Sequence, residues 1–195
     1  MIKRLFDIFS SCLVLIVLSP ILVIVSILIL MDSKGGVFYK QKRVGLNQKE
    51  FGLYKFRTMR PNSDSVKITV GDRDPRVTNI GYYLRKYKLD EIPQLLNILK
   101  GEMSVVGPRP EVKQYVDLYN KNQLRVLSVK PGLSDLATLE YVNESEILAK
   151  SENPEKTYIE EIMPDKLKLN LEYIDNQSLF LDVKVIFKTF ARIIR

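Results

Sequence analysis

Residues 8–31 read IFSSCLVLIVLSPILVIVSILILM, a run without a single charged side chain. Such a run exceeds the ~20 apolar residues that a helix needs to cross a bilayer. A cleaved signal peptide would have a shorter apolar region followed by small residues, whereas Met31, Asp32 and Ser33 follow here. The sequence therefore predicts a membrane segment, and its 195 residues leave room for one compact domain besides it.

A proline interrupts this apolar run near its middle, at Ser19-Pro20. Because proline removes one helical hydrogen bond and clashes with the preceding turn, we expect two half-helices, each too short to cross a ~30 Å hydrocarbon core. The basic residues that hold a segment end in the cytoplasm flank both ends, at Lys3, Arg4, Lys34, Lys40, Lys42 and Arg43. We predict a re-entrant anchor over residues 1–34 and a cytoplasmic, membrane-associated domain over residues 35–195. On charge alone, a single-pass helix with a tolerated proline fits equally well.

Composition limits the chemistry that the chain can perform. It has 30 Lys and Arg residues against 23 Asp and Glu, which favours nucleic acid, anionic lipid or phosphorylated small molecules as partners. Histidine is absent, so imidazole cannot serve as a base or a metal ligand. The single cysteine, Cys12, excludes an intramolecular disulfide and a clustered thiolate site. Catalysis would have to use carboxylates, Lys, Arg, Tyr or a hard metal ion.

Turn formers and apolar periodicity divide the polar part of the chain. Short β-prone pieces around a turn at 45–47 predict a hairpin between 37 and 56, and residues 60–65 and 71–76 indicate loops. Apolar residues at helical spacing predict a helix over 89–99 with an acidic start. The C-terminal segment has a basic face and a phenylalanine-rich face, typical of a helix that lies on a membrane or packs on a core. We expect an α/β fold dominated by helices, with a small hairpin or sheet near the active site and membrane-associated helices at both ends.

Two adjacent carboxylates, Asp90 and Glu91, stand among many cations. In most proteins an Asp at the start of a helix is only a cap. The chemical alternative is that a helix N-terminus and nearby cations attract phosphate, while an ionised Asp attacks phosphorus without needing a base. Prolines 108 and 110 would hold Arg109 in a rigid turn beside this site. A hard cation such as Mg²⁺, held by Asp90 or Glu91, is the natural partner of phosphate oxygens.

Several segments together resemble one known family. They are VFYKQKRVG at 37–45, YKFRTM at 54–59, DPRVT at 74–78, LRKYKLDEIPQLLN at 84–97 and GEMSVVGPRP at 101–110, besides Ser19-Pro20 in the anchor. In these segments the chain is similar to the bacterial sugar transferases, also called monotopic phosphoglycosyl transferases. The similarity covers nearly the whole chain.

The resemblance implies a two-step transfer at the cytoplasmic face of the inner membrane. Asp90 would take a phosphosugar from a UDP-sugar and release UMP, and polyprenyl (undecaprenyl) phosphate would then attack this intermediate. It also implies a re-entrant anchor broken at Ser19 and Pro20, and Mg²⁺ held by Asp90 and Glu91. The implied phosphate and substrate ligands are Lys55, Arg57, Arg76, Arg85, Gln94, Pro108, Arg109 and Pro110. The products would feed capsule, exopolysaccharide or glycan synthesis.

Two departures from the family pattern leave the sugar open. Residues 131–137 read PGLSDLA where many relatives have Pro-Gly-Ile-Thr-Gly, and Lys88 stands where a small hydroxyl residue is frequent. Two other functions compete: a membrane-tethered binder of nucleic acid or anionic lipid, and an inactive scaffold of a polysaccharide assembly complex. No stacking aromatics alternate with the basic residues, so we predict no nucleic-acid partner. The oligomeric state stays open, with a homodimer as one alternative.

Overall fold

A computed structural model of the chain describes residues 2–61 and 74–194. Within these residues helices dominate, as the sequence predicts. The helices are α1 (Ile2–Asp32), α2 (Asn79–Lys86), α3 (Leu95–Lys100), α4 (Lys113–Val116), α5 (Leu136–Glu140), α6 (Glu144–Ala149), α7 (Pro154–Thr157), α8 (Met163–Asp175) and α9 (Leu179–Ile194). The strands are β1 (Phe38–Val44), β2 (Glu50–Phe56), β3 (Ser104–Val106) and β4 (Gly132–Ser134). Most of the two predicted loops, at 60–65 and 71–76, lies outside the described residues.

Helix α1 continues through Pro20, where the sequence predicts two separate halves. Proline lacks the N–H that would bond the carbonyl of Ile16, one turn earlier. The hydroxyl of Ser19 donates to that carbonyl instead, at 2.8 Å. Because the lost bond has this local substitute, the helical pattern persists across the proline. By length and composition α1 could cross a membrane, and most of its apolar side chains are exposed; the re-entrant arrangement stays a prediction.

The first turns of α1 are fixed to the domain by charged side chains. Arg4 donates to the carbonyls of Ile98 and Leu99, at 2.5 and 2.9 Å, and so caps the end of α3. The buried carboxylate of Asp7 accepts hydrogen bonds from the hydroxyl of Ser104 and the backbone N–H of Val105, both at 3.0 Å. Lys3 pairs with the buried Asp182 of α9. The N-terminal end of α1 is thus part of the folded domain.

The other end of α1 is held in the same way. Arg57 donates to the carbonyls of Ser33 and Lys34, at 2.7 and 2.6 Å. These carbonyls follow the last turn of α1 and have no partner within the helix. The carboxylate of Asp32 accepts a hydrogen bond from the backbone N–H of Ile80, at 2.9 Å. Both ends of one long apolar helix therefore contact the same domain.

The predicted hairpin is confirmed. Strands β1 and β2 pair antiparallel, from Phe38 opposite Phe56 to Val44 opposite Glu50. A second, smaller pair joins β3 to β4 in parallel. The chain just after β3 lies very close to β4, since a Cβ on Gly132 would lie 2.1 Å from the backbone nitrogen of Gly107. Glycine at 132 therefore lets the segment after β3 run beside β4.

The C-terminal helix α9 packs on the domain by one face only. Val185 and Asp182 are buried, and Val185 belongs to an apolar cluster with Val106 and Tyr173. The phenylalanine-rich face is open: Phe180 and Phe187 are 81% and 72% exposed. The alternative in which these phenylalanines pack on the core is therefore wrong. An exposed apolar face beside basic residues is typical of a helix at a membrane surface.

The predicted helix over 89–99 is only partly α-helical. Residues Leu89–Gln94 form a 3₁₀ turn, and the α-helix α3 begins at Leu95. Pro93 explains the difference, because it disfavours the α conformation of the residue before it and supplies no N–H. Gly101 ends α3 with a φ of 85°, a left-handed backbone that glycine adopts easily. The tighter 3₁₀ turn holds the two carboxylates.

Candidate active site

Asp90 and Glu91 occupy the first turn of the 3₁₀ segment, and both are buried. The residue that precedes the segment as its N-cap is Lys88, in the left-handed conformation with a φ of 55°. The side chain of Lys88 makes no capping hydrogen bond to this turn, and Asp90 lies inside the turn rather than before it. The interpretation of Asp90 as a helix cap is therefore wrong. Left-handed backbone at a residue other than glycine is costly and is often found at functional sites.

Glu91 is held by two cations from different parts of the chain. The guanidinium of Arg109 contacts both carboxylate oxygens, one of them at 3.3 Å. The ammonium of Lys55, from β2, lies 3.2 Å from Oε1. Burial alone would raise the pKa of Glu91, but Arg109 and Lys55 hold that pKa well below its usual range. Glu91 is thus an ionised carboxylate that fixes two basic side chains in place.

The neighbouring carboxylate, that of Asp90, has different surroundings from Glu91. Its Oδ1 atom is buried and has no hydrogen-bond partner among the described residues. Burial raises the pKa of Asp90, and Lys55 acts against this rise. Burial likewise lowers the pKa of Lys55. An unpaired carboxylate oxygen in a cluster of cations is costly to maintain, and such groups are found where chemistry requires them.

Arg85 approaches the pair from α2. Its Nε donates to the hydroxyl of Thr58 at 3.0 Å, and the charge of Asp90 supports its protonated state. Burial is the larger influence and lowers the pKa of Arg85. Arg76 lies further out and binds the carboxylate of Asp74, with Nε to Oδ1 at 2.9 Å. The pKa of Asp74 is lowered first by this hydrogen bond.

The remaining predicted ligands occupy three different settings. Pro108 and Pro110 are buried on either side of the half-buried Arg109, and the rigid turn there stays a prediction. Gln94 is buried, and its Nε2 has no partner within the described part of the chain. Arg57 lies against the end of α1, where its guanidinium binds backbone carbonyls. The structure therefore brings Lys55, Arg85 and Arg109 to the carboxylate pair, and it places Arg57 at the anchor.

Asn97 links the site to the hairpin, a role that its sequence position does not reveal. Its Oδ1 accepts from the backbone N–H of Tyr54 at 3.0 Å, and its Nδ2 donates to the carbonyl of Gly52 at 2.8 Å. Both bonds join α3 to the outer edge of β2. They fix the strand that bears Lys55 beside the turn that bears Glu91. The backbone N–H and C=O groups at the edge of a strand need hydrogen-bond partners, but only the fold shows which residue supplies them.

The carboxylate oxygens of Asp90 and Glu91 can be compared with the ligands that Mg²⁺ requires. Among the described residues no group of three or more acidic, His or Cys side chains could hold a metal. Mg²⁺ often uses only one or two carboxylates and takes its other ligands from substrate phosphates and water. The unpaired Oδ1 of Asp90 fits such a role. Both oxygens of Glu91 already bind cations, so the predicted second ligand is less available.

A carboxylate pair among fixed cations suits chemistry on phosphate groups, and the long apolar helix suits a protein that works at a membrane. The chain belongs to the bacterial sugar transferase family, whose sequence profile matches residues 1–195. The family membership expected from the sequence motifs is confirmed.

Individual relatives agree with this membership. The chain is 37% identical to the sugar transferase EpsL of Bacillus subtilis (strain 168), over 99% of this chain and 87% of the relative. It is 34% identical to the exopolysaccharide production protein ExoY of Rhizobium meliloti (strain 1021), over 99% and 85%. It is also 40% identical to the UDP-glucose:undecaprenyl-phosphate glucose-1-phosphate transferase of Klebsiella pneumoniae, over 96% of this chain and 39% of that longer protein.

Proposed function

We propose that the chain moves a sugar 1-phosphate from a UDP-sugar to undecaprenyl phosphate, through a covalent intermediate on Asp90. The observation that carries this proposal is the buried, unpaired Oδ1 of Asp90 within a cluster of cations. Relatives named as undecaprenyl-phosphate sugar phosphotransferases support the donor and acceptor classes. Relatives named as exopolysaccharide production proteins support a place in exopolysaccharide synthesis.

In the first step an oxygen of Asp90 bonds to the phosphorus that bears the sugar. The bond from this phosphorus to the UMP oxygen breaks, and UMP leaves with that bond's electron pair. In the second step a phosphate oxygen of the acceptor lipid bonds to the same phosphorus, and the Asp90 carboxylate leaves. Two displacements split one difficult transfer into two easier ones. No proton needs to be removed from Asp90 once it is ionised.

The cations have distinct tasks in this scheme. Lys55 and Arg109, both fixed by Glu91, would stabilise the charge that develops on the phosphate oxygens. Arg85 faces Asp90 from α2 and would bind the phosphate oxygens of the leaving UMP. When bound, Mg²⁺ would supply further positive charge, with Asp90 as its protein ligand and Glu91 as the second one predicted. Because the cations are held before substrate arrives, little reorganisation is needed during the reaction.

The proposed transfer can be tested by release of UMP. The purified chain, in vesicles containing undecaprenyl phosphate, is incubated with a panel of UDP-sugars labelled in the uridine. We expect continuous release of UMP from one or a few of these sugars. Without the acceptor lipid, release should stop near one UMP per enzyme molecule. If no sugar in the panel yields UMP, the inactive-scaffold alternative gains support and the proposal fails.

The contacts of α1 support a monotopic anchor, whose two ends lie on the same side of the membrane. A straight helix from Ile2 to Asp32 would be ~46 Å long, more than enough to cross a ~30 Å hydrocarbon core. A single pass would place its ends on opposite sides of the membrane. Instead, Arg4 and Asp7 bind the domain near one end, and Asp32 binds it at the other. One folded domain that holds both ends supports the same side for both, which we propose is the cytoplasmic face of the inner membrane.

This topology predicts the location of both chain ends. Fluorescent reporters that mature only in the cytoplasm, fused separately to the N-terminus and to the C-terminus, should both give signal. Reporters that are active only outside the cytoplasm should give none in either fusion. A known single-pass protein serves as the control that both reporters work. An N-terminal fusion active only outside the cytoplasm would establish a single-pass anchor and contradict the prediction.

A further inference from the structure

An open depression lies on the domain surface between the hairpin and α3. Its volume is about 450 Å³, and it is lined by Phe38, Tyr54, Leu96, Leu99 and Lys100. That volume is within the range of ~300–1,000 Å³ typical of small-molecule sites. Phe38 is 57% exposed and Leu96 is 39% exposed, so the apolar lining is in contact with solvent in the isolated chain.

The rim of this depression is basic. The ammonium of Lys100 lies 2.7 Å from the hydroxyl of Tyr54, and the ammonium of Lys40 lies 5.4 Å from the centre of the Tyr54 ring. Lys40 is placed by Gly52, since a Cβ there would lie 1.8 Å from the Cε of Lys40. The pKa of Tyr54 is lowered, first by its hydrogen bond with Lys100 and then by both ammonium charges. The ammonium groups of Lys40 and Lys100 and the hydroxyl of Tyr54 therefore lie beside an apolar surface.

Both walls of the depression belong to elements that pack against the apolar helix α1. On α3, Leu95 and Ile98 belong to a cluster against which Val14 and Leu15 of α1 pack. On the hairpin, Phe38 stacks on Phe56, with ring centres 5.4 Å apart.

Phe56 in turn shares a buried cluster with Val25 and Ile29 of α1. The two walls of the depression are thus the two elements that touch different parts of the same apolar helix. Exposed aromatic side chains beside such a helix are typical of the membrane interface, where lysine stems also lie along apolar surface with their charges at headgroup level.

We propose that this depression binds one anionic phospholipid of the bilayer, at a site separate from the carboxylate pair. Its phosphate contacts Lys40, Lys100 and the hydroxyl of Tyr54, and an acyl chain covers Phe38, Leu96 and Leu99. Charge complementarity selects the headgroup, and the exposed apolar lining accepts the acyl chain. The lining of the depression includes neither of the two cations that hold Glu91.

The test uses thermal unfolding of the full chain in neutral detergent, titrated with phosphatidylglycerol or with phosphatidylcholine. We expect phosphatidylglycerol to raise the unfolding temperature saturably, because a ligand that binds only the folded state stabilises it. Phosphatidylcholine should have little effect. The double variant Lys40→Gln/Lys100→Gln should need about 30-fold more phosphatidylglycerol, equivalent to about 2 kcal/mol from two lysines.

The matched control is Lys121→Gln/Lys150→Gln, which removes the same charge from exposed positions elsewhere. It should respond to phosphatidylglycerol as the unaltered chain does. Leu96→Gln tests the apolar wall and should also weaken the response, although the charge is unchanged. Without lipid, each variant should unfold near the temperature of the unaltered chain, which confirms its folding. Equal weakening in both double variants, or stabilisation by undecaprenyl phosphate and not by phosphatidylglycerol, would overturn the proposal.

Discussion

Replacement Asp90→Asn should reduce sugar-phosphate transfer by at least about 1,000-fold, as is usual when a covalent nucleophile is lost. The amide has nearly the shape of the carboxylate but cannot form the acyl phosphate. Because burial raises the pKa of Asp90, its charge is disfavoured in the folded state. Removing that charge should leave the unfolding temperature equal or higher at neutral pH. Membrane association should not change.

Intact mass spectrometry provides the decisive measurement. The unaltered chain, given its UDP-sugar and no acceptor lipid, should gain the mass of one phosphosugar, and peptide mapping should place the adduct on Asp90. The Asp90→Asn chain should gain none. Asp117→Asn is the control, because Asp117 is exposed and pairs only with Lys113 in the described structure. Transfer at the normal rate by the Asp90→Asn chain would exclude the covalent mechanism.

The elements that the sequence predicts well are those with a strong local pattern. The uncharged run at 8–31 and the turn at 45–47 are such patterns: the run forms the apolar helix α1, although without the break predicted at Pro20, and the hairpin is confirmed. The adjacent carboxylates could also be located, since they stand in a long recognisable motif. Local patterns fail where two rules conflict. Helical spacing favours an α-helix over 89–99, while Pro93 acts against it, and the outcome is a 3₁₀ turn followed by α3.

Contacts between distant residues could not be predicted. The basic motif around Arg57 predicts phosphate binding, whereas its guanidinium binds carbonyls at the end of α1. The sequence indicates Arg4 as a charge that retains the N-terminus, and in the structure it also caps α3. In each case the side-chain type indicates an anionic or carbonyl partner, and only the fold decides which one is near. For the same reason the sequence could not show that Glu91, rather than Asp90, takes the two cations.

Because Glu91 takes both Lys55 and Arg109, we expect the second large effect on stability and transfer from Arg109→Gln. Arg109 and Glu91 form a largely buried ion pair, with side chains 28% and 11% exposed. Breaking such a pair leaves an uncompensated charge, and we expect unfolding to become easier by about 3 kcal/mol. Lys55 remains beside Glu91 and offsets part of the loss. Transfer should fall about 100-fold or more, because a fixed cation is removed from the phosphate site.

The control for this change is Arg125→Gln. Arg125 pairs with Asp175 at the surface, where the two side chains are 48% and 52% exposed. Solvent screens such pairs, so the expected stability change is below about 1 kcal/mol, with transfer unaffected. Unfolding by denaturant in detergent compares the two variants, and UMP release measures transfer. If Arg109→Gln is no less stable than Arg125→Gln, then Lys55 alone satisfies Glu91. In that case Arg109 is free to bind substrate, and its loss should raise KM for the UDP-sugar without changing stability.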